Sequence, residues 1–426
     1  MRVLPDDSQA PYAIVIGLDD IRGVHAARTL AWHGIRVIGI ARDPKSYGCR
    51  TRACQRVLFA DTRNEKFVSL LEQLAPTLGR QAVLVPCLDM AVLQISRHRE
   101  RLERWYPLTL PKPDVVEMMI DKVQFCSFAE SAGIPVPKTR FLYCQEDVQH
   151  VVETLRFPCC VKPPNSKDPK WLEGTHHKAF KVAGAKELQS IFNTWSHLAN
   201  PLVVQEWIEG PEDNLFACHC YIGADSEPLA TFTSRKLRQW PPETGQACLA
   251  EECKDDRVLE ITLELFRRVG FRGLGYVEVK RDRNSSQYFI VEPNIGRVSG
   301  RMAIAEAGGV ELLYTMYCDS LGLPLPENRA QMYGNAKWIY LRQDVQATLS
   351  HIRRRNLALG TWWRTWRGRK TFALFSWRDP APFFADIIGG IRLMVTSSER
   401  RKRFMKRTGS ESGRSARHSH EGSQVE

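Results

Sequence analysis

The chain opens with an apolar run at residues 12–17 (YAIVIG), an amphipathic stretch at 24–33 and a second apolar run at 35–40 (IRVIGI). Strand, helix and strand at this spacing predict a right-handed crossover and therefore a parallel sheet. A helical stretch at 64–78 then leads into another buried-strand pattern, AVLVP at 82–86. Residues 1–112 thus read as a small doubly wound domain. Its first turn, Gly17-Leu-Asp-Asp-Ile-Arg-Gly23, lacks the G-x-G-x-x-G spacing, and the chain contains no G-x-x-x-x-G-K-[ST]. Neither a dinucleotide site nor a P-loop is supported. The domain is expected to pack and to lend one wall to a pocket.

With 426 residues the chain exceeds one ordinary core. From 113 to 326 the texture changes to alternating helices and antiparallel strands. Residues 121–132 predict a helix stopped by Gly133 and Pro135; 158–163 (PCCVKP) and 201–207 (PLVVQEW) read as strands. Residues 275–280 (GYVEVK) and 287–291 (QYFIV), separated by a charged turn, read as a hairpin. Residues 327–408 form a basic region rich in Trp and Phe, and the polar stretch 409–426 is expected to be disordered.

The net charge of +12 raises a nucleic-acid reading, so its location matters. Most clusters are late, at 353–355, 364–370 and 400–407, whereas the middle of the chain is mixed in sign. A polyanion or anionic-lipid contact would belong to that C-terminal region, and no nucleic-acid role is expected of the central chemistry. The twelve cysteines form no C-x-x-C pair, and residues 1–17 lack the features of a secretory signal. A reducing cytoplasm is the expected compartment. The apolar stretch 383–395 is interrupted by Asp386 and Arg392 and falls short of the roughly 20 residues that cross a bilayer.

Three groups of residues carry chemistry. Glu278 lies on the first strand of the hairpin, with Glu292 and Asn294 on the second; oxygen donors gathered at one sheet end suit a hard cation held against phosphate. Solvated strand ends are the plain alternative. Lys162 sits in an otherwise apolar strand, where a cation is costly unless it meets an anion; Lys122 begins a helix. In the third, the strand at 203–207 runs into Ile208-Glu209-Gly210-Pro211-Glu212-Asp213, a connector whose backbone suits an adenine edge and whose carboxylates suit ribose hydroxyls.

In this order and spacing, over about residues 114–322, these elements resemble the ATP-grasp superfamily. The family's "DK" lysine is matched by Asp121-Lys122, its second lysine strand by 158–163, and its hinge by 205–212. Its metal signature is matched by Glu278, Glu292, Asn294 and, one residue late, Arg297. The resemblance implies an ATP-grasp fold, α/β and α+β, preceded by the doubly wound domain. It also implies that Lys122 and Lys162 bind phosphates, that Gln205, Glu206, Trp207 and Ile208 meet adenine, and that Glu212 or Asp213 meets ribose. Glu278, Glu292 and Asn294 would hold Mg²⁺ or Mn²⁺, and Arg297 and Arg301 would face the transferred phosphoryl group. The implied function is ATP-dependent ligation of a small-molecule carboxylate to an amine.

One departure concerns the phosphate lid. Residues 163–181 contain a single glycine where a Gly-rich loop is usual, so Lys178 or Lys181, with His176 and His177, is expected to act by charge instead. The basic stretch Ser234-Arg235-Lys236-Leu237-Arg238 resembles a segment of the carboxylate-amine ligase subset, which implies that Arg235, Lys236 and Arg238 line the acceptor side; a solvated basic hairpin is the alternative. His219, flanked by Cys218 and Cys220, reads as a packed strand residue, since no second ligand pair is in range. The Trp- and Arg-rich residues 360–370 suit ordinary packing or an anionic membrane surface. The alternative to an enzyme is a non-catalytic nucleotide-binding or membrane-peripheral scaffold using its basic C-terminal region. Oligomeric state is not legible.

Overall fold

The computed structural model describes residues 11–165, 168–354, 360, 362, 365 and 367–392. Strands β1 (Tyr12–Ile16), β2 (Val37–Ala41), β3 (Arg56–Phe59) and β4 (Ala82–Pro86) form a parallel sheet in the order β3-β2-β1-β4. Ala13 and Val15 enter one core with helix Ile21–Trp32, while Ile14 and Ile16 enter another with helix Glu65–Thr77. Two covered faces are why these strands read as continuous apolar runs. Helix Ile21–Trp32, expected to be amphipathic, is buried along its whole length from Ile21 to Leu30. Later parts of the chain cover its second face: Arg28 pairs with Asp379 at 2.8 Å, and the His33 ring stacks on Tyr314 at 4.0 Å. The two glycines of the first turn have separate reasons. Gly17 adopts φ +100°, and a Cβ on Gly23 would stand 2.4 Å from the Gly17 carbonyl oxygen.

A second sheet is antiparallel, in the order β5 (Thr139–Leu142), β8 (Leu202–Glu206), β6 (Cys159–Lys162), β7 (Phe180–Val182). It has a small core of its own, including Val148, Val151, Trp171, Leu188 and Leu202.

The third sheet joins the seven remaining described strands: β9 (Leu215–Ile222), β10 (Pro228–Trp240), β11 (Gln246–Glu252), β12 (Gly273–Arg281), β13 (Tyr288–Ile295), β14 (Lys337–Ile339) and β15 (Lys370–Phe372). Its order is β13-β12-β9-β10-β11-β14-β15, antiparallel except for β14 with β15. The region after residue 326, distinct by composition, supplies β14 and β15 and is thereby tied to the central sheet. A buried Arg238–Asp344 pair at 2.7 Å links β10 to helix Leu341–Arg353. Among the described residues no helix is long and apolar enough to cross a membrane. Residues 393–426, with the stretch expected to be disordered, lie outside the described residues, as does part of 360–370.

Candidate active site

β12 and β13 place their acids face to face. Glu278 and Glu292 are direct register partners, as are Tyr276 and Asn294. Because strand side chains alternate, all four emerge on one side of the hairpin. Cations from distant segments meet them. Lys122, the first residue of helix Lys122–Ser131, whose N-cap is Asp121, brings its Nζ to 3.1 Å from Glu292 Oε1. Arg301 donates from Nη2 to Glu278 Oε1 at 2.9 Å, and Lys236 Nζ lies 3.6 Å from the same oxygen. Arg297 donates to Asn294 Oδ1 and Asp89 Oδ1, and to the Tyr276 hydroxyl at 3.0 Å.

These charges set the ionisation. Burial alone would raise the Glu292 carboxyl, but Lys122 and Lys162 override it and hold its pKa at about 2. Burial brings the Lys236 ammonium down to about 8 even though Glu278 favours its charge.

Across the cleft, Lys162 at the end of β6 is 9% exposed, and its Nζ donates to Gln205 Oε1 at 2.8 Å, a neutral partner. Strand alternation turns the next residue the other way: the Glu206 carboxylate accepts from Arg156 N at 3.0 Å and Nη2 at 3.2 Å. Glu206 can therefore serve a ligand in the cleft only through its backbone. The Trp207 ring lies beneath two ammonium groups, Lys181 at 4.4 Å and Lys280 at 5.5 Å. The Glu212 carboxylate accepts from the amides of Gln239 (3.0 Å) and Glu243 (3.1 Å), which anchors residues 239–243 over this end.

One cavity of about 520 Å³ collects Lys122, Lys162, Lys178, Gln205, Glu206, Trp207, Ile208, Glu212, Lys236, Glu278, Glu292, Asn294, Arg297 and Arg301. Asp213, Arg235 and Arg238 do not line it. Arg235 is engaged by Glu251 of β11 at 2.6 Å, and register shifts on either side of Arg238 turn it to Asp344 while Lys236 and Gln239 face the cleft. His219 is fully buried, its Nε2 2.9 Å from Ser299 Oγ and its ring stacked on Tyr276 at 5.3 Å.

A lining of cations with hard oxygen donors suits a polyphosphate together with a divalent metal. Among the described residues no group of three His, Cys, Asp or Glu side chains could hold a metal alone. Two carboxylates and an amide oxygen nevertheless fit Mg²⁺, which commonly takes one or two protein carboxylates and completes its shell with phosphate and water. At the expected phosphate lid, helix Pro169–Thr175 follows Lys162, with Trp171 fully buried and Leu172, Lys178 and Ala179 on the cavity wall.

No model of a known protein family matches the chain. It is 22% identical over 242 residues to the D-aspartate ligase of Enterococcus faecium, covering 54% of this chain and 57% of that one. It is 25% identical over 190 residues to the D-alanine–D-alanine ligase of Marinobacter nauticus, covering 42% and 53%. The chain thus spans just over half the length of these curated relatives. The structure of N5-carboxyaminoimidazole synthetase from Staphylococcus aureus complexed with ADP has a TM-score of 0.63 at 16% identity, covering 81% of this chain and 87% of that one. The biotin carboxylase domain of the Hydrogenobacter thermophilus 2-oxoglutarate carboxylase, in complex with MgADP, has a TM-score of 0.59 at 13% identity, covering 75% and 72%. The chain has the ATP-grasp fold.

Part of the cleft is unannounced by the motifs. Asp20, Arg22 and Asp89 line it from the parallel-sheet domain. They follow the carboxyl ends of β1 and β4, the adjacent strands whose connections diverge, where open parallel sheets characteristically bind ligands. Asp20 caps helix Ile21–Trp32 and grips Arg22 at 2.7 and 2.8 Å. The 17–23 turn carried a signal in its two acids and arginine, but nothing local tied it to β12 and β13.

Proposed function

We propose that this protein of ATP-grasp fold is a ligase that activates a substrate carboxylate with ATP and joins it to an amine. In the first step a carboxylate oxygen attacks the γ-phosphorus, the bond to the β-γ bridging oxygen breaks, and ADP leaves an acyl phosphate. In the second, the amine nitrogen attacks the acyl carbon, inorganic phosphate departs, and the nitrogen loses a proton to leave the amide. Lys122 and Lys162 bind the nucleotide's phosphates, with Lys178 at the lid. Gln205, Trp207, Ile208 and the Glu206 backbone take the base, and Glu212 faces the ribose. Glu278, Glu292 and Asn294 hold magnesium, which when bound supplies positive charge against the transferring phosphoryl oxygens. Arg297 and Arg301 stabilise the charge that develops there through preorganised donors. Lys236 and Arg22 line the side left for the carboxylate and amine.

The observation that carries this reading is the register pairing of Glu278 with Glu292 in one cavity with Lys122, Lys162, Arg297 and Arg301. The names of the curated relatives support an amino acid among the substrates. All twelve cysteines are free thiols, which supports a reducing compartment. The test is ADP release from Mg-ATP with pools of amino acids and small carboxylates, comparing the native protein with Glu292→Ala. A pool that stimulates release by the native protein only, with an amide product by mass spectrometry, supports the ligase. Binding of Mg-ATP that no pool turns into ADP release rejects it.

A further inference from the structure

Residues 381–392 form a helix that carries large apolar side chains on its outward side. Its inward side presents Pro382, Asp386 and Gly390, four residues apart and all buried. Asp386 accepts from the Tyr340 hydroxyl at 3.0 Å and from Arg342 at 2.8 Å, and a Cβ on Gly390 would stand 2.9 Å from Arg342 Cδ. Its outward side, at the i, i+4, i+7 positions of one stripe, presents Phe384, Ile388 and Ile391, exposed by 56%, 51% and 56%. Trp377, just before the helix, is 88% exposed. A soluble surface helix ordinarily turns large apolar side chains inward.

Charge says what covers this face. Residues 361–407 contain twelve arginines and lysines against three acids. Two of those acids are consumed inside the protein, Asp379 by Arg28 and Asp386 by Arg342. Arg367, Arg369, Lys370 and Arg378 are exposed on the stretch that leads into this helix, and the sequence beyond residue 392 adds Arg400, Arg401, Lys402, Arg403, Lys406 and Arg407. A second copy related by a two-fold axis would bring this cationic surface against itself, which disfavours a self-interface. Nucleic acid would match the charge but leave Ile388 and Ile391 without an apolar partner. An anionic bilayer matches both, since its headgroups meet the cations while shallow burial takes up the stripe.

We infer that Trp377, Phe384, Ile388 and Ile391 form a seat by which this protein lies on an anionic phospholipid surface, with the exposed cations Arg367, Arg369, Lys370 and Arg378 at the headgroups. The helix lies along the interface, because no described helix is long enough to span it. The seat is separate from the cleft and stands whether or not the ligase assignment does.

The test is sedimentation of the full-length protein with vesicles of phosphatidylcholine alone and of phosphatidylcholine mixed with phosphatidylglycerol. The native protein is expected to bind only the anionic vesicles, and less as salt rises. Phe384→Ser/Ile388→Ser/Ile391→Ser should weaken binding by more than about tenfold, with Mg-ATP binding unchanged as the check on folding. Arg367→Gln/Arg369→Gln/Lys370→Gln/Arg378→Gln should weaken binding and reduce its salt dependence. Failure of the native protein to bind anionic vesicles, or undiminished binding by the triple serine variant, overturns the inference. So does a dimer that the triple serine variant dissolves, or preferential binding of RNA over the vesicles.

Discussion

Lys162 illustrates how one side chain carries a site. It is a cation 9% exposed at the end of an apolar strand, and it donates a hydrogen bond to the neutral Gln205 side chain. The Glu292 carboxylate, which it helps keep ionised, supplies a nearby opposite charge, and Lys122 shares that carboxylate. Lys162→Ala should leave the fold intact and weaken Mg-ATP binding by roughly 10- to 100-fold, measured by calorimetry; unaltered affinity would remove the phosphate role. Two histidines make a prediction about pH. Burial pushes both His25 and His219 from 6.5 to about 3, so both are neutral in the folded protein. The unfolded chain takes up these protons below about 6.5. Their contribution is therefore complete above pH 6.5 and is lost as pH falls towards 3, by at most ~1.4 kcal/mol per pH unit for each histidine. Urea titrations between pH 7 and 5 should show that slope, and His219→Gln should reduce it. An identical slope in the variant would show that other groups dominate acid unfolding.

Among the elements, β10 decides what reaches the cleft. Plain alternation would send Lys236 and Arg238 to the same side, but the irregular register around Arg238 sends Lys236 to the cavity and Arg238 to Asp344. That pair is buried at 4% and 0% side-chain exposure. Removing one partner leaves a buried charge uncompensated, so Asp344→Ala should cost about 3–5 kcal/mol by chemical denaturation. The double change Arg238→Met/Asp344→Leu should cost much less. If the single and double variants prove equally stable, the pair is not what fastens helix Leu341–Arg353 to the sheet. The hairpin β12–β13 makes the opposite point, because its pairing follows from strand pattern and turn chemistry and was readable at once.

At the scale of the whole molecule, the cleft exists because the parallel sheet faces the hairpin. Asp89, at the start of helix Asp89–Arg97, holds Arg297, which also holds Asn294. This ties the first domain to the proposed metal site across 208 positions of sequence. Asp89 acts through Arg297, so Asp89→Asn should lower kcat by about tenfold or more while changing nucleotide KM little, and Asp89→Glu should recover part of the loss. A change confined to KM would place Asp89 in binding instead.

Residues 12–17, 35–40 and 82–86 announced a parallel sheet, and the 275–291 region announced a hairpin, because strand period and turn residues are local properties. The ordered lysines, hinge and acids pointed to the ATP-grasp resemblance for the same reason: each lies in a short, recognisable segment. Three things needed the tertiary structure. Arg28 and Asp379, 351 positions apart, close a second face over a helix that locally reads as amphipathic. A bulge, invisible in residue type, separates Lys236 from Arg238. Asp20, Arg22 and Asp89 become part of the cleft only when the carboxyl ends of β1 and β4 come against β13. Sequence by itself thus determined the segments and their chemistry, through backbone preference and burial pattern. Which side chains meet was decided by long-range packing, where a contact depends on two distant stretches at once.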